Sequence, residues 1–298
     1  NKTIDVFSPY KFLNPAVFGN SFYTFRNRYF DMTGYGLHVP VLKKNMTEEL
    51  TRRIHSIAFR ATKAECLDLP DTTEIVRTVE LEWQAQGMYR ELVRESFISL
   101  KDGEVTATNV LTRLLRLSQL TGGFLRDDGA DRHIQVNSAK LTALADIVDS
   151  AAQDGKKLVI IARFLPEIAA ITRMLEKKAI GYSLISGEIR DRDEQVRRFQ
   201  TDPEVTVFIG QIATAGLGIT LTAADTMVFY SLDYSMSNFE QAKARIHRVG
   251  QRNPCTYLYL VAEGTVDEKV LQALRDKADL ARVLIDEYRT GKHPFKTD

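Results

Sequence analysis

The chain has 298 residues, 44% of them hydrophobic, which suits one large domain or two smaller ones with a well-buried core. Its 40 Lys and Arg residues nearly balance its 39 Asp and Glu residues, giving a formal net charge of +1. Bulk charge therefore gives no argument for or against nucleic acid, and any binding surface must be a local patch.

The cysteines and the apolar runs narrow the class of protein further. Cys66 and Cys255 lie far apart and show no C-x-x-C spacing, which argues against a metal knuckle or a disulfide framework and fits a reducing cytoplasm. No apolar run approaches the length of a membrane span, so no membrane partner is expected. The first residues lack signal-peptide character and an initiator methionine, which indicates a piece of a longer chain.

Residues 1–75 are rich in aromatic side chains and show little of the alternation that is typical of strands. We predict a mainly helical segment in which most of the aromatics pack in a core. These aromatics are Phe7, Tyr10, Phe12, Phe18, Phe22, Tyr23, Phe25, Tyr29 and Phe30.

Residues 76–138 form the next part of the chain. An extended strand within residues 73–83 is expected to connect it to the first segment. Residues 84–122 predict two helices interrupted near Lys101 to Gly103, with a leucine stripe that indicates ordinary helix packing. Residues 122–136 are predicted to form a mobile loop with Asp127 to Gly129 at its tip.

From residue 139 onward, short apolar runs alternate with helical patterns, which predicts βαβ units with right-handed crossovers. The fold class is therefore α/β, with a parallel sheet covered by helices on both faces. The predicted strands are 158–162, 182–186, 205–209, 226–230 and 256–261, and the predicted helices are 166–178, 188–200 and 238–247.

Two arginines three residues apart, Arg245 and Arg248, stand out at the end of the last of these helices. Residues at this spacing share one face of a helix, and two guanidiniums on one face fit the oxygens of a phosphate. A solvated or salt-bridged helix face is the competing interpretation, and it is the better one when the pair is considered alone.

Sequence signals of a complete nucleotide site are absent. No G-x-x-x-x-G-K-[ST] occurs, because Gly155-Lys-Lys157 lacks both the earlier glycine and the hydroxyl residue that would hold magnesium. The pair Gly216 and Gly218 lacks the third glycine of a dinucleotide fingerprint.

The context of the arginines resembles the C-terminal RecA-like lobe of Swi/Snf-type DNA-dependent ATPases of helicase superfamily two. Residues 214–222 (TAGLGITLT) resemble motif V of that family, and residues 241–251 (QAKARIHRVGQ) resemble motif VI. The resemblance implies three parts. Residues 1–75 would be the tail of the first lobe, 76–138 a linker strand with a helical protrusion, and 139–298 the C-terminal lobe.

The resemblance also implies a role for each motif in ATP hydrolysis. Arg245 and Arg248 would be the catalytic arginines that reach the ATP phosphates, with Gly216, Gly218 and Gln241 beside the nucleotide. For Gln241, a bond to the backbone of the motif V-like segment and a plain surface amide are both open. ATP and Mg²⁺ would be bound mainly by the first lobe of the same polypeptide, so this chain alone is expected to be inactive.

Contacts with the backbone of duplex DNA are implied for four residues: Arg163, Gly187, Thr214 and Ala215. Arg163 and Gly187 follow the first two predicted strands, at the edge of an open α/β sheet that ligands favour. The alternatives are a surface salt bridge for Arg163 and a plain strand-to-helix turn for Thr214 and its neighbours.

The sequence departs from the family where many members carry a Trp-Asn-Pro turn, since residues 233–240 read DYSMSNFE. Tyr234 can replace an aromatic packing element there, and the divergence favours a bacterial or viral protein of the cytoplasm, or a nuclear one in a eukaryote. Two other functions stay open: a non-catalytic interaction module with this fold, and another superfamily-two helicase or restriction-system translocase.

Overall fold

The computed structural model describes residues 3–33, 39–58, 68–101, 107–127, 132–187, 191–212, 218–290 and 295. The chain divides into two compact units, Asn1–Asp68 and Leu69–Asp298. The division falls a few residues before the boundary expected at residue 75, because the strand that follows Asp71 belongs to the sheet of the second unit.

The first unit packs three helices and a hairpin around aromatic rings. Its elements are α1 (Phe7–Leu13), α2 (Phe22–Tyr29), α3 (Thr47–His55) and the antiparallel strands β1 (Phe30–Thr33) and β2 (Val39–Leu42). Phe18 and Phe25 are buried with ring centroids 5.0 Å apart, as expected of core aromatics. Phe12, Tyr23 and Phe22 are instead 88%, 68% and 42% exposed and are the exceptions to core packing in this set.

The second unit is built on a six-stranded parallel sheet in the order β3-β10-β9-β6-β8-β7. The strands are β3 (Thr72–Val79), β6 (Leu158–Ala162), β7 (Gly181–Ile185), β8 (Val205–Gln211), β9 (Thr226–Phe229) and β10 (Cys255–Ala262). All five residues of β6 are buried, because helices cover both faces of the sheet.

Helices lie on both faces of this sheet, which confirms the predicted α/β class. They are α4 (Trp83–Lys101), α5 (Ala107–Thr121), α6 (Ala139–Gln153), α7 (Leu165–Lys177), α8 (Arg192–Thr201), α9 (Met236–Lys243), α10 (Val266–Arg275) and α11 (Leu280–Arg289). Ile160 packs with α6 and α7 on one face, and Val159 belongs to the core on the other. The alternation of neighbouring residues follows from the two-residue period of a strand.

A short antiparallel hairpin replaces the loop that was predicted after α5. Its strands are β4 (Phe124–Asp127) and β5 (Arg132–Gln135), paired from Phe124 with Gln135 to Asp127 with Arg132. The prediction of a loop was wrong here, since Phe124 is buried and anchors the hairpin. Residues 128–131, which include Asp128 and Gly129 of the expected tip, lie outside the described residues.

A buried ion pair joins α6 to α10. Lys140 at the start of α6 is 2% exposed and lies 2.5 Å from the carboxylate of Asp267 on α10. Asp267 also accepts hydrogen bonds from the hydroxyl of Thr121 at the end of α5 and from the backbone N–H of Ala262. One carboxylate therefore ties α5, α6, β10 and α10 together.

A second buried carboxyl group, Glu167 on α7, holds the turn after β6. Its Oε2 accepts hydrogen bonds from the N–H groups of Arg163 and Phe164 and from the Ser231 hydroxyl. Burial raises the pKa of Glu167 to about 7, although Ser231, these N–H groups and the charge of Lys140 oppose the shift.

Removal of the Asp267 carboxylate is expected to destabilise the second unit strongly. Asp267→Ala leaves the buried ammonium of Lys140 without its counter-ion, which costs roughly 3–5 kcal/mol of unfolding free energy. Asp146→Ala is the matched control, because its pair with Arg77 is largely exposed and contributes at most about 1 kcal/mol. Urea unfolding measures both variants, and equal losses would contradict the structural role of Asp267.

Stability is also expected to depend on pH through Glu167. Because folding raises this pKa from 4.5 to about 7, the folded state holds the proton more tightly than the unfolded state. Its contribution is therefore most favourable below pH 4.5 and is lost as the pH rises to 7, by up to about 3 kcal/mol. Glu167→Gln removes this titration. The wild type should lose stability relative to the variant between pH 5 and pH 8, and a constant difference would exclude a raised pKa.

Candidate nucleotide and DNA interface

The two candidate catalytic arginines lie just beyond the end of α9 rather than on it. Ser235 caps the helix by accepting from the N–H of Asn238, and the helix ends at Lys243. Residues 244–251, called the arginine turn below, continue as consecutive turns, as in the bond from the N–H of Arg245 to the carbonyl of Ala242. The predicted helix over 238–247 is therefore too long, because no Gly or Pro marks its end before Gly250.

Although they share no helix face, the two guanidiniums meet at one backbone oxygen. Nη1 of Arg248 lies 3.1 Å from the carbonyl oxygen of Ile219, and Nη1 of Arg245 lies 3.5 Å from it. The predicted shared helix face is therefore wrong, and the two side chains approach each other through the carbonyl of Ile219 instead.

The electrostatics of this pair are unfavourable in the absence of an anion. Burial, and next the charge of Arg248, lower the pKa of Arg245. Nε of Arg245 is buried and makes no hydrogen bond within the part of the chain that the structure describes. A buried N–H without a partner costs about 1–3 kcal/mol, and a phosphate oxygen would supply both the acceptor and the missing negative charge.

The carbonyl of Ile219 belongs to a short segment, residues 218–224, called the coupling loop below. The loop starts at Gly218, whose φ of +69° favours glycine. The N–H of Leu221 donates to the carbonyl of Arg245 at 2.9 Å. Residues 213–217, including Thr214, Ala215 and Gly216, lie outside the described residues, so the structure does not locate these three candidates.

Two glutamines of the motif VI-like segment have different surroundings. Gln241 is half-buried and donates to the hydroxyl of Ser237 one turn earlier on α9. Gln251 is 8% exposed and donates to the carbonyl of Ala224 at 2.8 Å. Among the described residues, the side chain of Gln251 rather than that of Gln241 approaches the motif V-like segment, with Nε2 3.5 Å from the carbonyl oxygen of Thr222. In the sequence, Gln251 was marked only by its place in the Gly-Gln pair that ends the motif VI-like segment.

The candidate DNA contacts at the sheet edge come together through a third residue. Arg163 follows β6 and Gly187 follows β7, and Gln211 at the end of β8 bonds to both. Its Oε1 accepts from the N–H of Gly187 at 3.1 Å, and its Nε2 lies 3.4 Å from the carbonyl of Arg163. The parallel sheet produces this grouping, because the carboxyl ends of its strands share one edge.

The side chain of Arg163 is held by aromatic rings. Its guanidinium lies 3.9 Å from the ring centroid of Tyr234 and 5.1 Å from that of Phe164. Asp233 is 3.9 Å away, while Nη1 of Arg163 is buried and has no hydrogen-bond partner among the described residues. Tyr234 also bonds to Ser118 of α5, so it packs against the protrusion in the divergent turn.

A cavity of about 280 Å³ adjoins Arg163, and Gln119 and His133 of the protrusion contribute to its lining. In the described part of the chain, no group of three or more His, Cys, Asp and Glu residues could hold a metal ion, and no helix is long and apolar enough to cross a membrane.

Comparison with known proteins shows which families the chain resembles. Residues 139–250 match the helicase conserved C-terminal domain. A chromodomain-helicase-DNA-binding protein 1-like of Danio rerio is 25% identical over 97% of the chain, which spans 28% of that relative. The chromatin-remodeling ATPase INO80 of Cryptococcus neoformans is 35% identical over 52% of the chain and 9% of its own length. The chain thus spans a minor part of these relatives.

Among solved structures, the Sulfolobus solfataricus SWI2/SNF2 ATPase core in complex with dsDNA is 26% identical, with a TM-score of 0.58 over 98% of this chain and 61% of that one. The C-terminal part of the Fun30 ATPase domain shares the fold, with a TM-score of 0.54 at 17% identity over 68% of this chain and 89% of that one. Residues 139–250 thus match a helicase C-terminal domain, and the relatives and solved structures together support a Snf2-like C-terminal lobe of helicase superfamily two.

Proposed function

We propose that the chain is the C-terminal half of a DNA-dependent ATPase that moves along duplex DNA. Arg245 and Arg248 would act as catalytic arginines on ATP, and the observation that carries this proposal is their convergence on the carbonyl of Ile219. Two positively charged guanidiniums that share one neutral acceptor repel each other. The pair therefore suits a site that binds an anion.

The chemistry of phosphoryl transfer explains the use of such a pair. Negative charge spreads over the γ-phosphate oxygens in the transition state, and a guanidinium supplied from outside the nucleotide cradle raises the rate by about 10³- to 10⁵-fold. Gly216, Gly218 and Gln241 would lie beside the same nucleotide. ATP and Mg²⁺ would arrive on a first lobe of the same polypeptide, so the chain alone should not hydrolyse ATP.

The proposed division of the polypeptide follows the same logic. Residues 1–75 would complete the first lobe, residues 76–138 would form the linker strand and protrusion, and residues 139–298 the C-terminal lobe. A DNA translocase works where DNA lies, which is the cytoplasm in a bacterial or viral setting and the nucleus in a eukaryote.

Duplex DNA would be contacted through its backbone, without sequence preference, by Arg163, Gly187, Thr214 and Ala215. Arg163 supports this proposal best, because its buried Nη1 lacks a partner in the described chain and Tyr234 fixes its guanidinium plane. The N–H of Gly187 lies at the same edge, although Gln211 accepts its hydrogen bond. Contacts of this kind position a protein on DNA and carry no sequence information.

In the polypeptide that carries both lobes, Arg248→Ala should lower DNA-stimulated kcat by about 10³-fold or more while DNA affinity is unchanged. The contact strengthens toward the transition state, so its loss raises the barrier rather than merely weakening ATP binding. Arg248→Lys should rescue poorly, since an ammonium lacks the planar fork. Steady-state ATPase assays with saturating DNA measure these effects.

Arg252→Ala is the matched control for this experiment, because Arg252 is an exposed arginine four residues away that has no proposed role. It should retain normal turnover. Near-normal turnover of Arg248→Ala would make the arginine turn structural, and a non-catalytic interaction module would then explain the chain better.

In this chain, Arg163→Ala should weaken DNA binding by the same factor for duplexes of unrelated sequence. It should also lower the slope of log affinity against log salt concentration by about one. Arg173→Ala is the control, since Arg173 is exposed near the end of α7, away from the carboxyl edge of the sheet. Fluorescence anisotropy at several salt concentrations provides the slopes. A loss confined to one DNA sequence, or an equal loss in the control, would refute a backbone contact.

A further inference from the structure

The buried amide of Gln251 connects two segments that the proposed function assigns to different ligands. Gln251 is 8% exposed and closes the arginine turn. Its side chain contacts no proposed nucleotide or DNA residue directly, yet it takes part in five hydrogen bonds to the backbone.

The donor side of the amide joins the coupling loop to the arginine turn. Nε2 donates to the carbonyl of Ala224 at 2.8 Å and lies 3.5 Å from that of Thr222, both in the coupling loop. It also donates to the carbonyl of Ile246 at 3.2 Å, between the two arginines. The same nitrogen therefore fixes the distance between the two segments.

The carbonyl oxygen of the Gln251 amide fixes the backbone that follows the arginine turn. Oε1 accepts from the N–H of Arg252 at 2.9 Å and from the N–H of Asn253 at 3.1 Å. The backbone N–H of Gln251 donates to the carbonyl of Arg248 at 3.0 Å. Only a side chain with a donor and an acceptor at this reach can satisfy both sets of partners, and Gln meets that requirement.

The position of the arginines makes this connection necessary. Because α9 ends at Lys243, no continuous helix holds the backbone of Arg245 and Arg248. Gln251 and the bond from Leu221 to the carbonyl of Arg245 hold that backbone against the coupling loop instead. The loop begins three residues after Ala215 in sequence, and Thr214 and Ala215 are two of the four proposed DNA contacts.

We propose that Gln251 is a positioning residue that transmits the placement of the coupling loop on DNA to the guanidiniums of Arg245 and Arg248. The proposal rests on the function proposed above. A displacement of the loop carries the carbonyls of Thr222 and Ala224 with it, and Gln251 carries the arginine turn along. DNA engagement thereby changes where the guanidiniums stand relative to phosphate.

The test compares two substitutions of similar size in the polypeptide with both lobes. Gln251→Met removes all five side-chain bonds, while Gln251→Glu retains the acceptor for Arg252 and Asn253 but loses the donor to the loop. Both should lower DNA-stimulated kcat by about 10- to 100-fold, with little change in KM for ATP or in DNA affinity. The ratio of DNA-stimulated to basal turnover should fall as well.

The control is Gln272→Met, a substitution of an exposed glutamine on α10 that bonds only to Asp276, and it should behave as wild type. Assays are run well below the lowest melting temperature so that every variant is folded. If Gln251→Met does not fold, Gln251→Asn replaces it, because its amide is one methylene too short to span the two segments.

A purely stabilising role would give a different result. A lower melting temperature with normal DNA-stimulated kcat of the folded variants would overturn the proposal, as would normal coupling in Gln251→Glu. Arg248→Ala combined with Gln251→Met should be no slower than Arg248→Ala alone, because Gln251 acts through the arginines. Additive losses contradict this.

Arg248→Ala measured in parallel separates the two proposals. If it is impaired and the Gln251 variants are normal, only the positioning role fails. If Arg248→Ala itself turns over normally, the proposed function fails, and the positioning role fails with it.

Discussion

The parallel arrangement of the six strands is the constraint on which the rest of the second unit depends. Because every strand runs in the same direction, the turns that follow β6, β7, β8 and β9 all lie at one edge of the sheet. Arg163, Gly187 and Gln211 meet there although 48 residues separate the first from the last. The coupling loop, in contrast, leads into the amino end of β9, which begins at Thr226. Segments that are remote in sequence become neighbours without any special local structure.

Buried polar atoms without a hydrogen-bond partner in the described chain occur both around the candidate site and within the sheet. They include Nη1 of Arg163, Nε of Arg245 and Oε1 of Glu167, and also the hydroxyls of Ser183 on β7 and Tyr259 on β10. Each such atom lowers stability by about 1–3 kcal/mol. The two guanidinium atoms differ from the others, because an anionic ligand can supply the acceptor that they lack.

Local sequence information was sufficient for the strands of the sheet. Leu158–Ala162 was predicted with its observed bounds, because five consecutive apolar residues suit a strand covered on both faces. The end of α9 was missed, since Ala244, Ile246 and His247 favour a helix as much as a turn. The hairpin of β4 and β5 was missed for another reason. Its strands have four residues each and lie beside a Gly pair, which resembles a loop in sequence.

Long-range contacts could not be predicted in the same way. Nothing near Thr72–Val79 in sequence shows that this segment pairs with Cys255–Ala262 in the sheet. Likewise, the pattern marked Arg245 and Arg248, but the acceptor they share lies 26 and 29 residues earlier in the chain. The role of Gln251 depends on carbonyl positions, which side-chain patterns do not encode.

Close packing joins the end of α5 to the turn after β6. A Cβ atom on Gly122, which follows α5, would lie 1.9 Å from Oε1 of Glu167, so a side chain there would force the buried carboxyl group to move. Oε2 of the same carboxyl group accepts from the N–H of Arg163, and Tyr234 connects the Arg163 guanidinium to Ser118 of α5. Arg163 is therefore held from both its backbone and its side chain by groups that contact α5 or the residue after it.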